Sequence, residues 1–229
     1  MNFIRKIYRE KDIKNIQKKI SMLGDTKWDA IKFMNYRLLS TIILTIFVIF
    51  FTSLNYLFIP FIIIIYYYLF YYFVLTYQIK KRSKKLDQEA LYYFEVLTLT
   101  LESGRNLQNS IELTSENVDS EISSEFKKVL MEMKYGKSLN EALENLKSRM
   151  PSETINNIIL NITQTSVFGN SIIDTMNNQI EFLRDKQVLS IKEKINKIPN
   201  KVSIVSVIFV IPLILLLIIG PIVIKYILN

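Results

Sequence analysis

The 229-residue chain has no cysteine and no histidine, and it holds only five glycines and one tryptophan. Without cysteine and histidine it cannot form disulfides, thiolate nucleophiles, zinc sites with the usual nitrogen and sulfur ligands, or Ser-His-Asp triads. A glycine-rich phosphate-binding loop ending in Gly-Lys-Ser or Gly-Lys-Thr is also missing. We therefore expect that the protein is not an enzyme and that it binds no metal and no cofactor.

Two long apolar stretches dominate what the sequence does contain. The first runs from Leu38 to Tyr77 without a charged residue, and the second runs from Val202 to Leu228 with Lys225 alone. One membrane-spanning helix needs about 20 apolar residues. The first stretch therefore predicts a helical hairpin whose turn is marked by Ser53, Asn55 and Pro60, and the second predicts one more span. The fold class that follows is all-α, an integral membrane protein with three transmembrane helices.

The basic residues predict how these spans are oriented. The first 37 residues hold ten Lys/Arg and four acids, and further basic clusters lie at 80–85 and 192–201, beside the second and third spans. Short loops rich in Lys and Arg stay on the cytoplasmic side of the membrane. We expect a multi-pass protein of the cytoplasmic (inner) membrane, with the N-terminus and residues 78–201 in the cytoplasm and Asn229 outside.

The net charge of +8 does not require a nucleic-acid partner. Residues 78–201 carry 18 Lys/Arg and 17 Asp/Glu, so most of the excess lies beside the predicted spans. Basic residues in that position are attracted to anionic lipid headgroups. A basic stripe with base-stacking aromatics is absent from the sequence. The expected partners therefore include membrane lipids and exclude nucleic acid.

The N-terminal segment predicts a basic amphipathic helix. Between residues 2 and 23, apolar side chains recur every three or four positions, beginning at Ile4 and Ile7, with Lys and Arg on the other faces. Such a helix suits the membrane surface or a groove on a partner, and it can also be a solvated helix that leads into the membrane. The predicted domains are a cytoplasmic arm at 1–37, a transmembrane hairpin at 38–77, a cytoplasmic helical domain at 78–201 and a final span at 202–229.

The central domain shows helical periodicity and no strand signals. Stripes such as Ala90, Phe94, Leu97 and Leu101 have spacings of three and four residues, which bury one face of a helix. Short turns between the helices are typical of an antiparallel bundle. The six predicted helices are Asp87–Ser103, Leu107–Asn117, Glu121–Tyr135, Leu139–Arg149, Glu153–Ser166 and Ile172–Ile198.

Three turns of this domain share one local sequence, with glycines 32 and 33 residues apart. Each glycine can adopt the positive φ that ends one helix, and the Asn or Ser two residues later can cap the next helix. Ser138 and Glu141 also have the spacing of a capping box. A helical solenoid with a period near 34 residues competes with the compact bundle, which three irregular copies favour. The predicted structural residues are Gly104, Asn106, Gly136, Ser138, Glu141, Gly169 and Ser171.

These turns carry a family resemblance. The segment Glu102-Ser-Gly104-x-x-Leu107-x-x-x-Ile111 is similar to the first conserved turn of the type II secretion F-domain family. The segment that begins Tyr135-Gly136-Lys-Ser138-Leu139 resembles the second turn, and the segment from Gly169-Asn-Ser171 to Leu183-Arg184 resembles the third. The order of two spans, one F domain and a final span resembles the platform proteins of tight-adherence (Tad) pili, and the proline-containing tail is closest to their C-type member.

The resemblance implies a non-enzymatic platform protein at the base of a pilus or secretion machine. Its implied partners are a cytoplasmic secretion ATPase, pilin or pseudopilin subunits, and a paralogous F-domain protein, in a homo- or hetero-oligomer. On this interpretation Lys127, Lys128 and Arg184 are candidate partner contacts. A membrane-anchored helical adaptor or sensor for another cytoplasmic partner is the alternative. Tyrosines of the hairpin could line a helix-binding surface: Tyr66, Tyr67, Tyr68, Tyr71 and Tyr72.

Overall fold

The computed structural model describes residues 9–24, 28–51, 59–168 and 171–227. In this part of the chain the secondary structure is helical and no strand occurs, so the all-α prediction is confirmed. The helices are α1 (Glu10–Ser21), α2 (Ala30–Phe51), α3 (Ile59–Tyr71), α4 (Tyr77–Glu102), α5 (Leu107–Asn117), α6 (Glu121–Lys134), α7 (Leu139–Arg149), α8 (Glu153–Phe168) and α9 (Ile172–Ile227). A π-helical turn, Tyr72–Thr76, joins α3 to α4 without a break.

Within the described ranges, three helical stretches are long and apolar enough to cross a membrane, namely Ala30–Phe50, Ile59–Glu102 and Ile172–Pro221. Their number agrees with the sequence, but each helix is longer than the predicted span. Helix α2 begins eight residues before Leu38, and α4 continues the second apolar stretch as far as Glu102. No helix-ending signal lies where the polarity of these segments changes. Each of the two helical stretches therefore contains both apolar and polar residues. The predicted turn residues Ser53 and Asn55 lie outside the described residues.

Helix α9 differs most from the expectation, because the predicted helix Ile172–Ile198 and the predicted last span form one element. It runs for 56 residues and contains Pro199, Pro212 and Pro221. Proline removes one backbone donor, and a long helix stabilised on either side tolerates that loss. The chain divides into two units, residues 1–180 and residues 181–229, and the second is the larger part of α9.

The shorter helices of the central domain lie where the sequence predicts them. The bounds of α5 and α7 coincide with the predicted helices, α6 ends one residue earlier, and α8 ends two residues later. Within the set α4 to α8, consecutive helices pack against each other. Helix α4 also contacts α6 and α8. This arrangement follows from the short turns, which place consecutive helices side by side.

The core of the domain forms around one face of α4. The predicted stripe of Ala90, Phe94, Leu97 and Leu101 is buried, as are Ile155, Ile159 and Ile162 of α8 and Met176 and Ile180 of α9. Three rings pack at the centre: Tyr93 stacks on Phe126, with their centroids 5.0 Å apart, and meets Phe94 edge to face, with their centroids 5.4 Å apart. The Tyr93 hydroxyl lies 3.1 Å from Ser115 Oγ, and burial raises the pKa of Tyr93 far above its usual value.

The N-terminal helix packs against the chain's own hairpin. Ile16 and Ile20 of α1 are buried with Phe33 and Met34 of α2 and with Leu75 of the π-helical turn. The predicted amphipathic face therefore exists in the described part of α1, while Ile4 and Ile7 lie outside the described residues. Ile16 and Ile20 of α1 are thus covered by the hairpin, and the three settings considered for the rest of the arm stay predictions.

Candidate functional site

The turns of the helical domain have the backbone geometry that glycine favours. Gly104 has φ 85° and Gly136 has φ 93°, and nothing lies within 4 Å of a Cβ built on either residue. The requirement for glycine is therefore conformational, since space for a side chain is available. Gly169 lies outside the described residues.

Side-chain caps follow these glycines. Asn106 Oδ1 accepts a hydrogen bond from Asn109 N at 2.8 Å, and Ser171 Oγ accepts one from Asp174 N at 3.3 Å. Ser138 and Glu141 form a reciprocal capping box, with Ser138 N donating to Glu141 Oε2 at 2.9 Å and Glu141 N to Ser138 Oγ at 3.3 Å. The hydrogen bond from the Ser138 backbone lowers the pKa of Glu141. These contacts are internal to the turns.

A buried arginine links the membrane-proximal end of α4 to three other parts of the fold. Arg82 Nε lies 2.5 Å from Glu121 Oε1, and Nη2 lies 2.8 Å from Glu125 Oε1. Its Nη1 donates to the backbone oxygens of Met22 at 2.8 Å and Arg149 at 3.1 Å. Breaking a buried pair costs about 3–5 kcal/mol, because the remaining charge stays buried. Arg82 therefore fixes α4 to α6, to the end of α7 and to the loop after α1.

The loop after α1 reaches Arg82 because it contains a glycine. Gly24 has φ 91°, and a Cβ at this position would lie 3.2 Å from Arg82 Nε. Both the backbone conformation and the close approach disfavour a larger residue here. The sequence placed Arg82 in the basic cluster beside the second span, and nothing in that cluster marks it as the buried member.

Acidic side chains of α4 also hydrogen-bond the starts of two other helices. Glu89 Oε2 accepts from Glu121 N, the first residue of α6, at 2.9 Å. Asp87 accepts from Ser152 Oγ, which in turn accepts from Ile155 N in the first turn of α8 at 3.1 Å. A carboxylate at a helix N-terminus pairs with unsatisfied backbone donors. Helix α4 is thus joined by polar contacts to α6 and α8 in addition to its apolar face.

A second ionic cluster surrounds Glu132 near the end of α6. Its carboxylate accepts hydrogen bonds from Lys137 Nζ at 2.8 Å, Asn145 Nδ2 at 2.7 Å and Arg149 Nη1 at 2.5 Å. Burial raises the pKa of Glu132, but these three donors outweigh it and lower the pKa to about 2. The carboxylate therefore stays ionised and holds α7 against α6 at ordinary pH.

The three predicted partner contacts differ in their surroundings. Lys127 and Arg184 are exposed, whereas Lys128 is half-buried and its Nζ lies 3.1 Å from Glu125 Oε1. Glu125 is buried and also pairs with Arg82 and Arg149. A substitution at Lys128 would therefore disturb the internal ion pairs, and Lys127 is the cleaner surface probe of the two.

Sequence reasoning missed the apolar side chains that accompany Lys127. On the solvent side of α6 lie Ser124, Lys127, Met131, Lys134 and Tyr135, a set that we call the α6 outer face. Met131 is 57% exposed and Tyr135 is 89% exposed. Their spacing of three or four residues could have indicated one shared face. Exposed Met131 and Tyr135 beside Lys127 and Lys134 resemble the composition of protein–protein interfaces more than that of a solvated helix.

The hairpin tyrosines are divided between internal and exposed positions. Tyr67 accepts a hydrogen bond from Arg37 Nη2, and Tyr71 accepts one from Lys19 Nζ at 2.6 Å. Tyr68 and Tyr72 are exposed. The predicted helix-binding surface is therefore reduced to the outward members of the set, because two of the five hold the arm and α2 in place.

No group of three or more Asp or Glu side chains that could hold a metal ion occurs among the described residues. Glu141 belongs to the capping box, whereas the other two carboxylates with lowered pKa values, Glu121 and Glu132, are engaged by cations of this same chain. In both cases burial opposes the shift, and ion pairing with Arg and Lys causes it.

A family model described as Type II secretion system (T2SS), protein F matches residues 93–220. The match covers more than half of the chain, from Tyr93 in α4 to Gly220 in α9, and residues 1–92 lie outside it. The comparison with curated proteins found no match. The comparison with solved structures also found none.

Proposed function

The chain belongs to the type II secretion system protein F family, and from this premise we propose that it couples a cytoplasmic ATPase to the movement of subunits in the membrane. Members of this family are non-catalytic platform proteins of secretion and pilus-assembly machines. The apolar helices and the family together indicate a multi-pass protein of the inner membrane. Within the family, we propose the C-type role in a tight-adherence (Tad) pilus, on the order of the spans and turns.

The observation that carries this proposal is the continuous helical stretch from Ile59 to Glu102. Its first part is apolar and charge-free to Tyr77, and its last part supplies the buried face of the helical domain. A helix rises about 1.5 Å per residue, so this stretch measures about 65 Å. A rigid element that reaches from the bilayer into a domain core is suited to pass a mechanical displacement from one to the other.

The proposed topology places the N-terminus and residues 78–201 in the cytoplasm and Asn229 outside. Two crossings within 38–77 and one at 202–229 would put the two ends of the chain on opposite sides. The basic clusters, which all fall on one side in this arrangement, also support it. The start of α9, residues 172–180, would then supply the sixth helix of an antiparallel six-helix bundle with α4 to α8. Subunits of a pilin or pseudopilin would pass along the exposed tyrosines Tyr68 and Tyr72.

We place the ATPase on the α6 outer face. Tyr, Met and Arg are enriched at the centres of interfaces, and lysines around them steer an acidic partner during encounter. Lys127 and Lys134 flank Met131 on this face, and Tyr135 is almost fully exposed. The remaining proposed partners are a paralogous F-domain protein, further copies of this chain and membrane lipids.

Co-purification in detergent with the ATPase tests the proposal. We expect the full chain to retain the ATPase, and Tyr135→Ala with Lys127→Glu to lose it. Tyr92→Ala is the matched control, because Tyr92 is a tyrosine of similar accessibility on α4, 62% exposed. If the Tyr92→Ala control also loses the ATPase, the assignment of the interface to α6 is wrong. If deleting the chain leaves pilus assembly and secretion intact but abolishes a signalling output, the adaptor alternative replaces the platform.

A further inference from the structure

Arg37, in the second turn of α2, is a buried cation with no carboxylate partner among the described residues. It is 5% exposed, and its Nε makes no hydrogen bond. Its guanidinium carbon lies 3.9 Å from the centroid of Tyr67, and Nη2 donates to the hydroxyl of the same tyrosine. These contacts with a neutral ring offset only part of the cost of removing a charge from water. A buried cation in this condition favours the binding of an anionic group beside it.

A cavity of about 580 Å³ lies beside Arg37, between α1, α2 and α3. Its wall contains two further cations, Lys18 and Lys19, against one acid, Asp12. Tyr67 and Tyr71 add two hydroxyl groups, and Lys19 Nζ donates to the Tyr71 hydroxyl at 2.6 Å. The cavity therefore has an excess of positive charge and donors suited to phosphate oxygens.

The rest of the wall is mostly apolar. It is formed by Ile16, Met22 and Met34, together with the polar Asn15. A small inorganic anion needs no such surface, whereas a phospholipid has a glycerol backbone and acyl chains next to its phosphate. The mixed wall thus fits an amphipathic anion better than a free one.

The position of Arg37 along α2 places the cavity near the level of the lipid headgroups. The charge-free apolar stretch begins at Leu38, directly after Arg37. In the proposed topology the residues before this stretch are cytoplasmic, so the guanidinium would lie near the cytoplasmic boundary of the hydrocarbon core, where lipid phosphates are found.

We propose that this cavity binds the phosphate of an anionic phospholipid from the cytoplasmic leaflet, with Arg37 and Lys19 as its ligands. The lipid supplies the counter-charge that Arg37 lacks and joins α1 to the hairpin at the membrane surface. This inference concerns residues outside the family match, and it does not depend on the proposed coupling to an ATPase.

The test measures lipid binding to the full chain in detergent. Phosphatidylglycerol, phosphatidylcholine and inorganic phosphate are titrated separately, with the melting temperature and the lipid retained in native mass spectra as readouts. We expect phosphatidylglycerol to be retained and to raise the melting temperature, and the other two to have little effect. Stabilisation by inorganic phosphate to the same extent would assign the site to a free anion and overturn the lipid proposal.

Matched variants separate a built site from general attraction to basic residues. Arg37→Met should weaken phosphatidylglycerol binding about tenfold or more, because charge-assisted hydrogen bonds are lost. Lys81→Met removes the same charge at an exposed position outside the cavity and should leave binding unchanged.

A second variant keeps the test valid if Arg37→Met fails to fold. Lys19 is exposed, and Lys19→Met should still weaken binding several-fold relative to Lys81→Met. Equal effects of Lys19→Met and Lys81→Met would mean unspecific attraction and would overturn the proposal, as would the absence of any response to phosphatidylglycerol.

Discussion

Single residues set the turns and the ion pairs of this protein through backbone conformation and charge. Gly104 and Gly136 have positive φ with open space around them, whereas Gly24 has positive φ and Arg82 close by. The two situations predict different responses to substitution. An open glycine tolerates any residue that adopts its φ, and a crowded one does not.

Substitutions at Gly136 test whether the backbone conformation or the space for a side chain limits this position. Gly136→Val should destabilise the protein by more than about 1 kcal/mol, because a β-branched residue rarely adopts φ near 93°. Gly136→Asn should cost less, since Asn tolerates the left-handed region. Thermal unfolding of the full chain in detergent, followed by circular dichroism, measures both. Equal losses for Val and Asn would mean that bulk, and not φ, limits this position.

The Glu132 cluster predicts a dependence of stability on acid pH. The pKa of Glu132 lies at about 2 in the folded protein, against a usual value of 4.5. Its stabilising contribution, on the order of 3 kcal/mol, is complete above the unfolded pKa and is lost as the pH falls from about 4.5 towards 2. The stability advantage of the wild type over Glu132→Gln at pH 7 should therefore shrink steadily below pH 5.

The control for this titration is an ion pair at the surface. Glu144 pairs with Lys147 one turn later, and its side chain is 55% exposed. Such pairs contribute little to stability. Glu144→Gln should therefore follow the wild type at every pH, and a parallel loss in both variants would argue against the Glu132 cluster as the cause.

At the scale of elements, the decisive feature is the continuous passage from α3 through the π-helical turn into α4. A π-helical turn holds one residue more than the α-helix around it, and such turns are frequent at functional sites. Here the turn presents Leu75 to the cluster formed by α1 and α2. The turn therefore adjusts the rotation of α3 relative to α4. As a result, apolar side chains fill both the cluster formed with α1 and α2 and the core of the helical domain.

Deleting one residue tests this register. Removal of Thr76 should convert the turn to α-helix and keep the faces of α3 and α4 in place, with a small loss of melting temperature. Removal of Ser83, within α4, should rotate the following residues by about 100° and separate Arg82 from the face that begins at Leu86. Melting of the two deletion variants in detergent makes the comparison. A larger loss for the Thr76 deletion would show that the π-helical geometry itself is needed.

At the scale of the whole molecule, the orientation in the membrane is the prediction that decides the others. The chain lacks cysteine, so single introduced thiols report on accessibility without background. Ser123 is unsuitable as a probe because it is buried, whereas the neighbouring Ser124 is exposed on the α6 outer face.

Labelling of intact cells with an impermeant thiol reagent tests the orientation. We expect Asn229→Cys to react in intact cells and Ser124→Cys to react only after the membrane is permeabilised. The physical reason is that the basic clusters hold residues 78–201 on the cytoplasmic side. The reverse pattern would place the helical domain outside and would exclude contact with a cytoplasmic ATPase.

The sequence by itself determined the local features of this protein. The helical class, the bounds of α5 and α7, and the apolar stretches follow from periodicity, capping residues and turn glycines, which act over a few residues. For the same reason the capping partners of Asn106 and Ser138 could be named in advance. These interactions lie within one turn of helix, so the neighbouring residues suffice to specify them.

Only the tertiary structure decided which charged residues are buried and where the N-terminal helix packs. Arg82 reaches Glu121 and Glu125, which lie 39 and 43 residues away in the chain, and no pattern in the basic cluster around it singles it out. Arg37 and Tyr67 meet across the hairpin in the same way. Pairs so distant in sequence depend on how the helices are rotated and aligned. That arrangement is set by the packing of whole elements, which local sequence does not encode.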